Sequence, residues 1–319
     1  MLDDLLENNS TNPVVVAAVY KFVHLPDYRE IRRELSAVCK ENQVKGTILL
    51  AEEGINGTVA GSRAGIDNLM RFLARDMRFD HLEYKESYAA MIPFHRMKIK
   101  LKKEIVTMGR ADIAPASLSG KRVTVDQWNG LITDPEVLVI DIRNHYEYEV
   151  GTFLNAISPE LRSFREFPGY VQNRLDPEKH RKIAMFCTGG IRCEKASAFM
   201  LQQGFAEVYQ LQGGILRYLE DVKPEENLWQ GECFVFDGRV AVDGELRTGQ
   251  HEQCYSCRHP LSQQDRQSDK YEQGISCPYC YDSLTVARRA SLKERQRQVE
   301  LAAQRNQLHV GAVMDASEE

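Results

Sequence analysis

The sequence predicts a three-part chain of mixed α/β class: an N-terminal α+β unit, a central α/β unit on a parallel sheet, and a small cysteine-bearing C-terminal extension. Three observations carry this. Strand and helix patterns follow the order β-α-β-β-α-β through the first hundred residues. Residues 137–143 and 182–187 are nearly unbroken apolar runs, as in parallel strands buried on both faces. Two CxxC pairs lie close together near the C-terminus. A length of 319 residues suits two or three domains. With 43% hydrophobic and 27% charged residues, the composition is that of a globular protein. No apolar run approaches the roughly 20 residues that span a bilayer. The acidic, polar N-terminus MLDDLLENNSTNP lacks the pattern of a secretory signal. These features lead to the expectation of a soluble, cytoplasmic protein, in which eight cysteines argue for catalysis or metal binding rather than disulfides. The formal net charge of -5 excludes an overall basic surface, so nucleic acid would have to bind local patches.

Taken in order, residues 1–13 are expected to be a disordered tail. Residues 14–23 (VVVAAVYKFV) are β-branched and aromatic and read as a strand. Pro26-Asp27 can start a helix on which Tyr28, Ile31, Leu35 and Val38 share one face. Residues 44–51 and 55–61 read as strands joined by a turn at Glu53-Gly54. Ser62 is placed to cap a helix with Ile66, Leu69, Met70 and Leu73 on one face. HLEYKESYA and MKIKLKKEIV supply further strands, and the order implies a ferredoxin-like arrangement over residues 14–110.

Residues 111–121 (ADIAPASLSGK) read as a linker. The central unit spans 122–225. Thr124 and Asp126 can start a helix through Trp128 and Leu131, and residues 137–143, 182–187 and 206–214 read as strands. An amphipathic helix over 192–203 ends at Gly204. Sites in such sheets lie at the carboxyl ends of strands. From 226 to 305 the pattern is less regular, with short strand candidates in ECFVFDGRVAV, then the cysteine cluster, then a basic helix. Residues 306–319, ending in DASEE, are expected to be a second disordered tail.

The strongest chemical signal is KIAMFCTGGIRCEKASAFM (182–200). An apolar strand ends at Cys187, the loop Thr188-Gly189-Gly190-Ile191 follows, and a helix starts near Arg192. Loop N–H groups can form an anion-binding nest, the helix N-terminus adds partial positive charge, and Arg192 adds a full one. All three favour a thiolate, so Cys187 should be more acidic than a free thiol. The bland alternative, a cysteine packed as a small apolar residue, is weakened by this setting. Cys193 could resolve a persulfide or close a disulfide with Cys187, or could simply pack within the helix.

DIRNHYEYEVGTFLNAI (141–157) and CTGGIRC resemble the sequence patterns of rhodanese domains. That resemblance implies a rhodanese parallel sheet, with Cys187 as nucleophile or persulfide carrier, and places Asp141 and Arg143 as scaffold residues whose simplest role is a structural ion pair. A cysteine phosphatase loop fits less well, because Phe186 stands before the cysteine and only four residues separate Cys187 from Arg192.

Further motifs extend the match to nearly the whole chain: EEGINGTVAG (52–61), PFHRMKIKLKKEIVTMG (93–109), MFCTGGIRCEKASA (185–198), LQGGILRYLE (211–220) and the cysteine cluster. Together they resemble the rhodanese-related tRNA uridine hydroxylases (the TrhO family). The resemblance implies an acylphosphatase-like N-terminal domain and oxygen-dependent hydroxylation of the wobble uridine of tRNA at C5, with O2 as co-substrate. The sequence contains no clear iron triad and no flavin or nicotinamide motif. Two other classes stay open: a sulfurtransferase using a Cys187 persulfide, and a non-catalytic, redox-sensing RNA-binding protein using Cys187 and Cys193.

Cys254-Tyr-Ser-Cys257 and Cys277-Pro-Tyr-Cys280 form CxxC-x19-CxxC, a spacing suited to four thiolates around a structural Zn2+. A redox pair is the competing reading, and His251 and His259 are possible substitute ligands. Residues 95–122 carry eight Lys or Arg against two acids. In a strand, Arg96, Lys98, Lys100 and Lys102 would line one face while Met97, Ile99 and Leu101 pack inward, with Lys103 adjoining. Given the resemblance, this stripe is a candidate tRNA contact rather than only a solvated face. Residues 284–305 hold six basic residues and two acids. Arg288, Arg289, Lys293, Arg295 and Arg297 are expected on a helix that either touches tRNA or is merely solvated.

Overall fold

The computed structural model describes residues 13–82 and 84–305, so most of both expected tails lies outside the described residues. The N-terminal unit comprises β1 (Val14–Phe22), α1 (Tyr28–Glu41), β2 (Lys45–Ala51), β3 (Gly54–Gly61), α2 (Arg63–Leu73), β4 (Tyr84–Ala89) and β5 (Met97–Leu101). Its sheet has the order β4-β1-β3-β2-β5. The first four strands give the ferredoxin-like arrangement, and β5 adds a parallel edge beside β2. The apolar spacing works as expected: Leu35 of α1 and Ile66, Leu69 and Leu73 of α2 are buried against Val15, Ile48, Leu50 and Val59. Ser62 Oγ accepts the Gly65 N–H at 3.1 Å and so caps α2. Asp27 precedes α1 but makes no capping bond, and its carboxylate pairs with Arg78 instead.

The central unit adds β6 (Lys121–Val123), α3 (Val125–Thr133), β7 (Val137–Asp141), α4 (His145–Tyr148), β8 (Gly151–Phe153), α5 (Phe167–Arg174), β9 (Lys182–Phe186), α6 (Ile191–Gln202), β10 (Glu207–Leu211) and α7 (Gly214–Asp221). Four strands pair in the order β6-β10-β9-β7, all parallel. The apolar run of β9 is explained by burial on both faces: Ile183 and Met185 pack with α5 and α6, whereas Ala184 and Phe186 pack with α3 and α7. Of the expected linker 111–121, residues 111–120 hold no regular strand or helix, Lys121 begins β6, and Ile113 is buried in the central core.

The last segment contains β11 (Trp229–Gly231), β12 (Cys233–Phe234), β13 (Ala241–Val242), β14 (Glu252–Gln253), β15 (Pro260–Leu261), α8 (Gln263–Arg266) and α9 (Val286–Gln304). A separate extension is expected from 226, but residues 229–242 belong physically to the central unit. Strand β11 pairs with β8, and Trp229, Cys233, Val235 and Val242 enter the core around Phe153 and Phe186. Aromatic edge-to-face contacts of Trp229, 5.0 Å from Phe153 and 6.4 Å from Phe186, make that join. The cysteine-bearing segment proper has only a small core of Leu261, Cys254, Cys277 and Cys280. No helix among the described residues is long and apolar enough to cross a membrane.

Candidate active site

The carboxyl end of β9 delivers Cys187 into a loop that α6 closes. The sulfur is almost sealed off, at 1% exposure. Gly190 adopts φ +99°, a left-handed conformation that favours glycine, and its N–H donates to the Cys187 sulfur at 3.2 Å. The loop carbonyls are drawn the other way. The first N–H groups of α7, on Ile215 and Leu216, donate to the carbonyls of Cys187 and Thr188 at 3.0 and 3.1 Å. This explains Gly213-Gly214 in the LQGGILRYLE motif, because a Cβ on Gly214 would stand 2.5 Å from the Cys187 carbonyl oxygen. At Gly189, by contrast, a Cβ would meet nothing within 4 Å, so space does not demand glycine at that position.

Burial pushes the Cys187 thiol up. The Cys193 thiol, the Arg192 guanidinium and the backbone N–H groups of Cys193 and Arg192 outweigh it and bring the pKa down to about 6. Cys193 moves the other way, held protonated by its complete burial and by its bond to Cys187. The two sulfurs therefore divide into a thiolate and its thiol donor. Both are free cysteines, and both also pack in the central core.

Arg192 is clamped by Glu147 of α4 through two bonds of 2.8 and 2.7 Å. Both residues are buried, and Thr188 Oγ1 contacts the same carboxylate at 3.4 Å. The guanidinium is thus fixed in direction, and part of its charge is spent on Glu147. Asp141 and Arg143 form the structural ion pair, fully buried and 2.6 Å apart, with Arg143 also bonded to the Gly151 carbonyl at 2.5 Å.

The N-terminal unit covers this loop. Tyr20, near the end of β1, points its hydroxyl at Gly190, only 2.9 Å from where a Cβ would stand. Lys85 of β4 lies across Gly213 in the same way. Between the units is a cavity of 280 Å³ whose wall includes Tyr20, Phe22, Lys85, Arg122, Gly190 and Glu194. A buried lysine fastens the two units together. Lys195 of α6, with a side chain 0% exposed, pairs with Glu53 at 2.8 Å and Glu104 at 2.6 Å, both from the N-terminal unit.

At the far end of the chain, the sulfurs of Cys254, Cys257, Cys277 and Cys280 all lie within 4.8 Å of one another. Three separations are 3.6, 3.7 and 4.0 Å. This group could hold a metal ion. His251 and His259 do not join it. His251 bonds Glu232 at 2.7 Å, and His259 stacks on Tyr279 at 3.6 Å.

Two family models match the chain: the UPF0176 acylphosphatase-like domain over residues 14–105 and the rhodanese-like domain over residues 124–221. The chain belongs to the rhodanese-related UPF0176 family. Among solved structures, the rhodanese-like domain of an Anabaena protein is 16% identical, with a TM-score of 0.29, covering 34% of this chain and 78% of its own. A Bacillus halodurans protein is 25% identical with a TM-score of 0.28, covering 36% of this chain and 80% of its own. A Coxiella burnetii acylphosphatase is 11% identical with a TM-score of 0.23, covering 30% of this chain and 99% of its own.

In this UPF0176-family chain the basic stripe alternates as its sequence does. Arg96, Lys98, Lys100 and Lys102 are exposed, as is Lys103, while Met97, Ile99 and Leu101 pack against the N-terminal core. The stripe lies on the edge strand β5, and beside it Arg32 and Ser36 of α1 complete a groove with Arg96, Lys98 and Lys100. The C-terminal helix is different. Arg295 donates to the carbonyls of Tyr255 and Gly274, Arg289 and Lys293 pair with Glu272, and Arg297 pairs with Glu294. Most of its basic residues therefore hold the helix against the cysteine segment or one another, whereas Arg288 has no such pair among the described residues.

Sequence reasoning missed Tyr20, Glu147 and Lys195. The only local signal was Asn144-x-x-Glu147, a capping-box spacing that marks a helix start and says nothing of Arg192.

Proposed function

We propose that this protein is a tRNA-modifying enzyme that hydroxylates the wobble uridine at C5, using O2, with Cys187 as its nucleophile. The sequence resemblance to the rhodanese-related tRNA uridine hydroxylases supports the reaction class, and the UPF0176 and rhodanese-like domains agree with it. The observation that carries the assignment of Cys187 is its setting: a sulfur with a pKa near 6, beside an interdomain cavity rimmed by cationic and aromatic side chains. Thiolate addition to C6 of uracil places electron density on C5, which attacks the oxidant. Loss of the C5 proton and departure of the thiolate then restore the ring. With O2, one oxygen atom enters the base and the other leaves as water, so two electrons and two protons from a reductant complete the balance. Cys193 serves as the proton donor that steadies the thiolate, and Arg192 and Thr188 to Ile191 shape the loop around it. The exposed residues Arg96, Lys98, Lys100, Lys102 and Lys103 receive tRNA phosphates. A cytoplasmic location follows from this substrate and from the free cysteines.

We read the four-sulfur cluster as a structural Zn2+ site. Tetrahedral Zn–S bonds of about 2.3 Å require sulfurs roughly 3.8 Å apart, and three of the separations lie between 3.6 and 4.0 Å. The ion would fold a segment that has little apolar core of its own.

A second reading is sulfur transfer through a Cys187 persulfide, favoured by the four-residue spacing between Cys187 and Arg192, which makes a tighter cradle than a phosphate needs. Nucleoside mass spectrometry separates the two. In a strain lacking the gene, 5-hydroxyuridine derivatives of tRNA should fall, and should return with the wild-type gene but not with Cys187→Ala. Unchanged 5-hydroxyuridine with loss of a thiolated nucleoside would replace the hydroxylase with the sulfurtransferase.

A further inference from the structure

A rhodanese loop needs no partner domain to activate its sulfur, yet here a second domain is built onto it at close range. We propose that the N-terminal domain completes the active site, with Tyr20 as a positioning residue that stacks one unpaired pyrimidine base above the Cys187 loop while Lys85 and Arg122 receive its flanking phosphates. This rests on the RNA-modifying reading above and names the pocket that reading requires.

Four observations carry it. Two left-handed loop glycines, Gly190 and Gly213, lie where the N-terminal unit touches the loop. A Cβ on Gly190 would stand 2.9 Å from the Tyr20 hydroxyl, and one on Gly213 would stand 2.9 Å from the Lys85 side chain. Tyr20 and Phe22, two apart on β1, both line the cavity, with rings 6.4 Å apart and inclined at 69°, so that the Tyr20 ring rather than the pair is the stacking surface. Aromatic faces of this kind are the usual platform for single-stranded bases.

The cavity also has the right polarity. Lys85 lies 5.5 Å from the Tyr20 ring, and Arg122 reaches the cavity with its side chain 58% exposed while bonded to Glu194. Glu194 is held on the inner side by Ser119 at 2.7 Å and Gln210 at 3.3 Å. This gives cations outside and hydrogen-bonding groups within. Burial, with Glu194 and the Cys187 sulfur nearby, pushes the Tyr20 phenol up, so it stays a neutral donor and stacking surface.

Size sets the last limit. A volume of 280 Å³ lies at the lower end of ligand pockets, about 300 Å³ upward. That is the scale of one nucleotide rather than of a paired helix. With Cys187 only 1% exposed, a base must leave its stack to reach the sulfur.

The test uses the full-length protein and the rate at which iodoacetamide alkylates Cys187, read by peptide mass spectrometry. A short RNA hairpin with a uridine-rich loop is the probe, and a fully paired RNA duplex is its control. The hairpin should slow alkylation of the wild type and the duplex should not. Tyr20→Ala should weaken hairpin protection roughly 5- to 100-fold, the loss expected for one base–aromatic stack, whereas Tyr20→Phe should keep it. Protection is read as the ratio of each variant's rates with and without the hairpin, so a change in the unprotected rate from lost packing of Tyr20 on Gly190 cancels, and Tyr20→Phe, which keeps the ring, should retain the wild-type melting temperature. Equal protection of wild type and Tyr20→Ala, or equal protection by the duplex, overturns the pocket while leaving RNA recognition intact. Failure of the hairpin to protect the wild type at any concentration overturns the pocket together with the RNA reading.

Discussion

The chain uses cysteine twice, and the two sites are opposites. In the central loop one sulfur is singled out. Backbone N–H groups and the Cys193 thiol bond Cys187, the Arg192 guanidinium acts on it through space while held by Glu147, and Gly190 of its loop lines a cavity. Near the C-terminus four sulfurs face only one another, with Cys254, Cys277 and Cys280 buried and Cys257 exposed. The first arrangement stabilises a single negative charge on a buried sulfur. The second gathers four potential charges that only a cation can hold together. What decides whether a cysteine is a nucleophile or a ligand is what surrounds the sulfur, since both sites begin from short, closely spaced cysteine motifs.

The contrast is broken most severely at Cys187. Cys187→Ala should lower 5-hydroxyuridine formation by at least about a thousandfold, as loss of a nucleophile does, with the melting temperature within a few degrees of the wild type. Substantial activity in that variant would make the loop a scaffold. At the other site, Cys277→Ser should leave the protein without stoichiometric zinc and unfold the segment around residues 250–305, because metal binding there is the folding free energy. Hydrogen exchange of α9 reports this. Alkylation of Cys187 should keep its pH dependence, and a shift would show that the two sites are coupled.

A smaller effect is expected where the domains meet. Lys195→Met leaves Glu104 and Glu53 facing each other without their shared cation. Breaking a buried pair from one side costs about 3–5 kcal/mol, discounted here because the Glu53 side chain is 22% exposed. Denaturant unfolding should register the loss, and Lys195→Arg should recover part of it. The smallest effect belongs to the edge strand. Lys98→Ala with Lys100→Ala should weaken tRNA binding at every sequence alike and reduce the salt slope by roughly one per charge removed. An unchanged slope would make the stripe a solvated face.

These sites were not equally legible. The strand, the loop and the helix that make the cysteine site are contiguous over residues 182–202, so periodicity and glycine placement announce them. The alternation of β5 is local too, and the zinc-type spacing needs only two knuckles. What stayed hidden joins residues far apart in the chain. Glu147 meets Arg192 across 45 positions, Glu104 meets Lys195 across 91, and Tyr20 reaches Gly190 from another domain. No pattern within one segment encodes such meetings. The join of β11 to β8 was missed for the same reason, because Trp229 reads as part of an irregular stretch until Phe153 is placed beside it.

The central claim is that this loop holds Cys187 as a thiolate at neutral pH. A low pKa means that the reactive form appears as pH rises through that value, so alkylation should already be near its plateau at pH 7. The direct measurement is the rate of Cys187 alkylation by iodoacetamide between pH 4 and 10 in the full-length protein. The account predicts a midpoint of about 6, moved upward in Cys193→Ala. A midpoint near the free-thiol value of about 8.5 would contradict it, leaving Cys187 a buried thiol with no special claim to catalysis.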